Sequence, residues 1–427
     1  MSEPIFIARQ DTLEQEILPA HWLAQYKLFG EESYTFQDKG IWKKLCMSRA
    51  AANDRDMHAE ALEEMLTTFS AEHTGKWMLL VYGMDAAALE GLATMAAIAA
   101  NGTAMGAIAD NALLMHAIAN SETAMQRIAN SQTAMQRVAN NRGAMDAIGR
   151  SRIARDAVQA SPYYNSYIKE NDMAIAKLVV GFANLESAGY SGMAGVAADS
   201  TAMTAVAASA TAMTAVAASS VARNAISASP YYDEKIKEND MAIAKLVVGF
   251  ANLESAGYSG CAGMAADSTA MTAVAASSTA MTAVAASGVA LKAIAQAYKN
   301  TANMLQFLKA VNASDTLIKR IYNTLTNATA LFGTAQLGGQ DSVADANKWA
   351  TTSAAPNAFL ACACGYYNSG GASVDVTYNG TAIAQNKTGT RQPGSVTSTN
   401  VNAITMAPST FTENGDGWLA VQKFTVK

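Results

Sequence analysis

A ten-residue unit recurs without a gap from Gly91 to Ala160, and it constrains this 427-residue chain more than any other feature. The blocks SETAMQRIAN (121–130) and SQTAMQRVAN (131–140) show its form. Met95, Met105, Met115, Met125, Met135 and Met145 hold one position, and Ile98, Ile108, Ile118, Ile128, Val138 and Ile148 hold the position three later. The unit returns as Met193/Val196, Met203/Val206 and Met213/Val216, and again as Cys261/Met264, Met271/Val274 and Met281/Val284. In the last block of each array Arg155, Arg223 or Leu291 stands in the methionine slot, as expected where a stacking neighbour changes.

A period of 68 residues lies over the short one. Ser161-Pro162-Tyr163-Tyr164 recurs as Ser229-Pro230-Tyr231-Tyr232, and Lys169 to Gly192 is identical to Lys237 to Gly260. Leu79 to Gly83 echoes Leu178 to Phe182 more weakly, so three modules are expected, each a hydrophobic helix followed by an array.

Alanine and methionine favour helix, Ser, Asn or Asp opens each block where an N-cap belongs, and residues three apart share a helical face. At roughly 100° per residue, a continuous helix would turn the Met/Ile stripe by about 80° per block. A helix of one or two turns followed by a bend brings every pair to one side. The expectation is therefore a solenoid of very short helices, with Met105, Ile108, Met115, Ile118, Met125, Ile128, Met203, Val206, Met271 and Val274 in its core. A β-solenoid is the alternative, but alternation in Thr-Ala-Met-Thr-Ala-Val would place Met and Val on opposite faces.

The flanks have other textures. Residues 1–75 read as a mixed, mostly helical attachment domain, with Ala59 to Phe69 its clearest helix; the modules then run 76–160, 161–228 and 229–297. Residues 298–355 read as a helical connector and a polar linker from Gly333 to Ala355. Ile318, Ile321, Leu325, Ala328 and Phe332 are spaced as a two-heptad seam, which serves a coiled coil or an amphipathic helix on a core. Residues 356–427 read as a small β-sandwich, with Asn379-Gly380 a type I′ hairpin signal. The fold class is thus mainly α with a C-terminal all-β domain.

Catalytic and metal chemistry finds little footing. Asp54, Asp56, His58 and Glu60 alternate, but on a helix such residues diverge, so a solvated face is the better reading. Cys362 and Cys364 share a strand face without a second pair, and Cys261 sits in a methionine slot, so all three read as packing. His116 occupies a variable repeat slot and is expected at the surface. No cofactor, metal or catalytic residue is expected, and the chain reads as non-enzymatic. Net charge is −5 with no basic tract, which argues against a nucleic-acid partner. No apolar run is long enough to cross a bilayer, and the acidic start Met1-Ser2-Glu3-Pro4 lacks a signal pattern, so synthesis in a cytosol is expected.

Strings of the form Ser-Thr-Ala-Met-x-Ala-Val-Ala-x-Ser resemble the repeats of tail-fibre-like and other virion proteins of tailed bacteriophages. That resemblance spans Gly91 to Ala297 and implies a particle component, commonly a homotrimer, that docks on other virion proteins through its N-terminal region. It transfers no catalytic residues. In that frame the C-terminal domain contacts a host-surface receptor or a virion neighbour, and Tyr366, Tyr367 and Trp418 are its candidate contacts, with ordinary sandwich core the competing reading for all three and the better one for Trp418. A capsid decoration or head fibre, or a cell-surface adhesin, is the competing function.

Overall fold

The computed structural model describes residues 55–69, 71–341, 348–350, 357–366, 372–391, 395–414 and 417–427. The chain divides into two compact units, residues 1–205 and 206–427. Most of the expected attachment domain (1–54) lies outside the described residues.

In the first unit, α1 (Arg55–Glu64), continued by a π-helical turn at Met65–Phe69, precedes α2 (Thr74–Tyr82) and α3 (Ala86–Leu89). Seven decapeptides then form seven helices: α4 (Met95–Ala100), α5 (Gly102–Asp110), α6 (Ala112–Ala119), α7 (Glu122–Ala129), α8 (Gln132–Ala139), α9 (Arg142–Arg150) and α10 (Arg152–Gln159). They are followed by α11 (Tyr164–Tyr167), α12 (Asp172–Phe182), α13 (Met193–Ala197) and α14 (Ser200–Ala208), in which the boundary between the units falls.

One or two residues make each bend within the first array. Asn111 has φ −93° and ψ 99°, closing α5 with its N–H and opening α6 with its side chain, which accepts from the Leu114 N–H. Extended backbone at that single position breaks the helix, and the Asn, Ser or Asp side chain restores a hydrogen bond to the first turn. Each helix packs against the third helix onward: α5 on α8, α6 on α9, α7 on α10, α9 on α12. Three blocks thus make one coil, a count that the block length alone does not give.

The second unit repeats the construction with α15 (Ala210–Ala218), α16 (Ser220–Ser227), α17 (Tyr232–Lys235), α18 (Asp240–Phe250), α19 (Cys261–Ala266), α20 (Ser268–Ala276), α21 (Ser278–Ala286) and α22 (Gly288–Gln296). Between α20 and α21 the axis bends by 103°. α15 packs on α18, α18 on α21 and α19 on α22. Two longer helices, α23 (Thr301–Asn312) and α24 (Asp315–Asn327), continue the stacking against α20 and α21. The long helices α12 and α18 end where Asn184 and Asn252 take left-handed φ values of 57° and 58°, which returns the Leu185 and Leu253 N–H groups to Val180 and Val248.

Ile318, Ile321 and Leu325 are buried in α24, but the helix stops at Asn327 and Phe332 belongs to a strand. The seam is therefore the core face of an amphipathic helix, not a coiled coil. The expected linker is corrected in the same way: Phe332–Asp341 is strand β1. Its glycines and small polar residues conceal the alternation a strand usually shows, and pairing with a long partner overrides their weak propensity. Eight further strands follow: β2 (Lys348–Ala350), β3 (Ala358–Tyr366), β4 (Ser373–Tyr378), β5 (Thr381–Thr388), β6 (Thr390–Arg391), β7 (Ala403–Met406), β8 (Ser409–Asn414) and β9 (Gly417–Val426). One sheet runs β1-β9-β3-β6 with β7 also on β3, and the other runs β2-β8-β4-β5. Asn379 and Gly380, at φ 46° and 76°, form the turn from β4 to β5.

The strands are not tethered to the helices by a flexible stretch. Asn312 accepts from the Ile404 N–H at 3.0 Å and donates to its carbonyl at 2.7 Å, while the Tyr322 hydroxyl reaches the Val396 carbonyl at 2.8 Å. One hydrophobic core runs from Ile243 through α23 and α24 to Phe424. The protein is mainly helical with a C-terminal domain of antiparallel strands in two sheets.

Candidate functional site

Each unit is built on a stacking seam. Met105, Ile108, Met115, Ile118, Met125, Ile128, Met203, Val206, Met271 and Val274 are all buried. An unbranched thioether beside a branched Ile or Val fills the gap between coils, and Cys261 and Leu291 fit the same slot because only the space is specified.

Capping residues stitch the coils. The Ser131 and Ser151 hydroxyls accept from their own helices and donate, each at 2.6 Å, to the carbonyls of Ala99 and Ala119, one coil earlier. Asn171 does the same, from its Nδ2 to the Ala139 carbonyl at 3.1 Å. An aspartate cannot donate, and where Asp199 and Asp267 cap, each instead accepts from a tyrosine: Tyr190 at 2.9 Å, Tyr258 at 2.8 Å. The Ala202 N–H above all, with the Tyr190 hydroxyl, holds the Asp199 carboxyl below its ordinary value, and Asp267 is held down by the equivalent pair.

The array-end arginines now have a role. The Arg155 guanidinium donates to the Gly149 carbonyl at 2.6 Å and stacks over Phe182 at 5.6 Å; Arg223 stacks over Phe250 at 5.8 Å and donates to Ala217. Beside them a Cβ at Gly181 would run into the Gly149 carbonyl, so the helices approach there as only glycine permits. Leu291 has neither partner, because no third copy of the long helix follows its array.

The first coil is closed by α1. Glu63 accepts from the Ser121 hydroxyl at 2.5 Å, the Thr123 hydroxyl at 2.6 Å and the Thr123 N–H at 3.1 Å, so its carboxylate meets the start of α7. Glu238 likewise accepts from the Gly288 and Val289 N–H groups at the start of α22. Glu238 also borders a groove of about 980 Å³ with Asp233, Lys237, Lys319 and Arg320. Lys237 there pairs with Asp233 at 3.1 Å, so the groove carries both signs of charge and three of its charged groups already serve the fold.

Of the expected contact residues, Trp418 is 2% exposed and belongs to the sandwich core, a correction that follows from its place on β9 between β1 and β3. Tyr366 is half-buried at the end of β3, and Tyr367 lies outside the described residues. His116 is half-buried rather than at the surface, with Nε2 against Asn120 Nδ2 at 3.2 Å. His58 turns inward to the Tyr82 hydroxyl at 3.2 Å while Glu60 faces solvent. Among the described residues no cluster of His, Cys, Asp or Glu has the geometry for a metal ion. Cys261, Cys362 and Cys364 are buried and form no disulfide. The chain matches no protein-family model, and comparison with characterised proteins gives no match.

Proposed function

We propose that the chain is a structural component of a tailed-phage virion, a fibre or a tail or collar appendage. In this role the N-terminal region docks on other virion proteins, the coiled repeats act as a spacer, and the C-terminal β domain meets a host surface or a neighbouring virion protein. The work is mechanical, with no cofactor and no chemical step.

The observation that carries this reading is the seam itself. Each block buries its methionine and its Ile or Val against a block of the same chain, so reach is added by repeating one unit with no new chemistry. The resemblance of the repeats to virion proteins supplies the particle. Assembly into a homo-oligomer belongs to the same proposal. It would act through outer surfaces, because the methionine core closes within one chain.

Mass spectrometry and cryo-microscopy of particles from the source that encodes the chain test the proposal. The chain is expected at stoichiometric level in a projecting density with the repeat's coil spacing. Particles that lack it overturn the proposal, and light scattering of the purified chain decides the oligomeric state.

A further inference from the structure

The 68-residue duplication places one lysine in two settings. Lys177 and Lys245 occupy identical stretches of sequence and are buried, at 0% and 2% exposure. Each ammonium donates to a main-chain carbonyl ten residues on: Lys177 to Ser187 at 2.7 Å, Lys245 to Ser255 at 2.8 Å. A second carbonyl lies farther off, Ala188 at 3.5 Å and Ala256 at 3.3 Å.

At Lys177 the charge is answered by the Asp146 carboxylate, 2.5 Å away on α9, and the same carboxylate accepts from the Ser187 hydroxyl at 3.2 Å. The residue equally far ahead of Lys245 is Thr214, on α15, which packs on α18 as α9 packs on α12. Thr214 turns its hydroxyl to its own helix, donating to the Ala210 carbonyl at 2.8 Å. Two donors therefore lose their acceptor together. The Ser255 hydroxyl, 3% exposed, has no hydrogen-bond partner, and no carboxylate among the described residues pairs with Lys245. A buried cation without a counter-charge is costly, and burial pushes the Lys245 pKa down.

We propose that a small monovalent anion, a halide such as chloride, binds between the Lys245 ammonium and the Ser255 hydroxyl, taking the place that the Asp146 carboxylate holds in the other copy. Threonine ends one bond short of where aspartate carries its oxygens, and its hydroxyl is engaged with the Ala210 carbonyl, so the anion would stand where the carboxylate does in the other copy. Access is open too: the Asp146 side chain is 17% exposed and Thr214 is half-buried, so this position borders solvent in both copies. The second copy would thus take from solution the negative charge that the first carries in its own sequence.

Thermal unfolding of the full chain in sodium chloride and in sodium gluconate at equal ionic strength tests this. Wild type is expected to melt higher as chloride replaces gluconate. Thr214→Asp is expected to melt higher than wild type in gluconate and to lose the chloride increment. Wild-type crystals soaked in bromide should give an anomalous peak on the Lys245 ammonium, a readout that requires no variant to fold. Equal melting in both salts, a bromide map empty at Lys245, or an undiminished chloride increment in Thr214→Asp overturns the proposal.

Discussion

Ser151 does three things with one hydroxyl-bearing residue: it ends α9, caps α10 and ties that coil to the one before through the Ala119 carbonyl. Ser151→Ala should therefore cost about 1 kcal/mol for the cap and about 1–3 kcal/mol more for the buried carbonyl left unpaired. The drop in urea midpoint should far exceed that of Gln126→Ala at an exposed slot. Aspartate at the same slot adds a pH dependence. Because folding holds the Asp199 carboxyl below its ordinary value of about 3.9, its contribution is complete at neutral pH and fades as the pH falls from there toward the folded-state value. Asp199→Asn keeps a cap but should flatten the acid limb of stability below the ordinary carboxylate range, measured by urea midpoints across acid pH.

The short helices were legible because propensity, cap and stripe agree within every ten residues. Their number per coil was not, since it depends on how bends at residues such as Ser277, with ψ of 112°, add up over successive blocks. The strand Phe332–Asp341 was hidden for a related reason: its partners on β9 lie 77 to 94 residues further along the chain, and its own glycines argue for a loop. The Lys177–Asp146 pair was equally invisible, because two residues 31 apart become neighbours only once the coil is known. If the block is the unit of construction, one extra copy of Ser131–Asn140 inserted after Asn140 should leave the melting temperature unchanged or higher and raise far-ultraviolet helicity. Half a block inserted there should broaden the transition and lower it.

Within the whole molecule the two terminal coverings of the arrays differ in kind. α1 and the turn that continues it close the first coil through the Glu63 carboxylate and apolar side chains such as Leu62 and Met65, whereas α23 and α24 share one core with the sandwich. Unfolding should therefore start at the α1 side. Glu63→Ala should release amide protection in α6 and α7 and leave α18 and α21 as they were, read by hydrogen exchange with mass spectrometry. The 68-residue period spans six helices, α11 to α16, and its two copies carry the same opening caps, Asn171 and Asn239, and the same left-handed stops, Asn184 and Asn252. A lineage that duplicates such a segment therefore copies the punctuation along with the helices, and a gene can grow by unequal recombination without composing new folding signals.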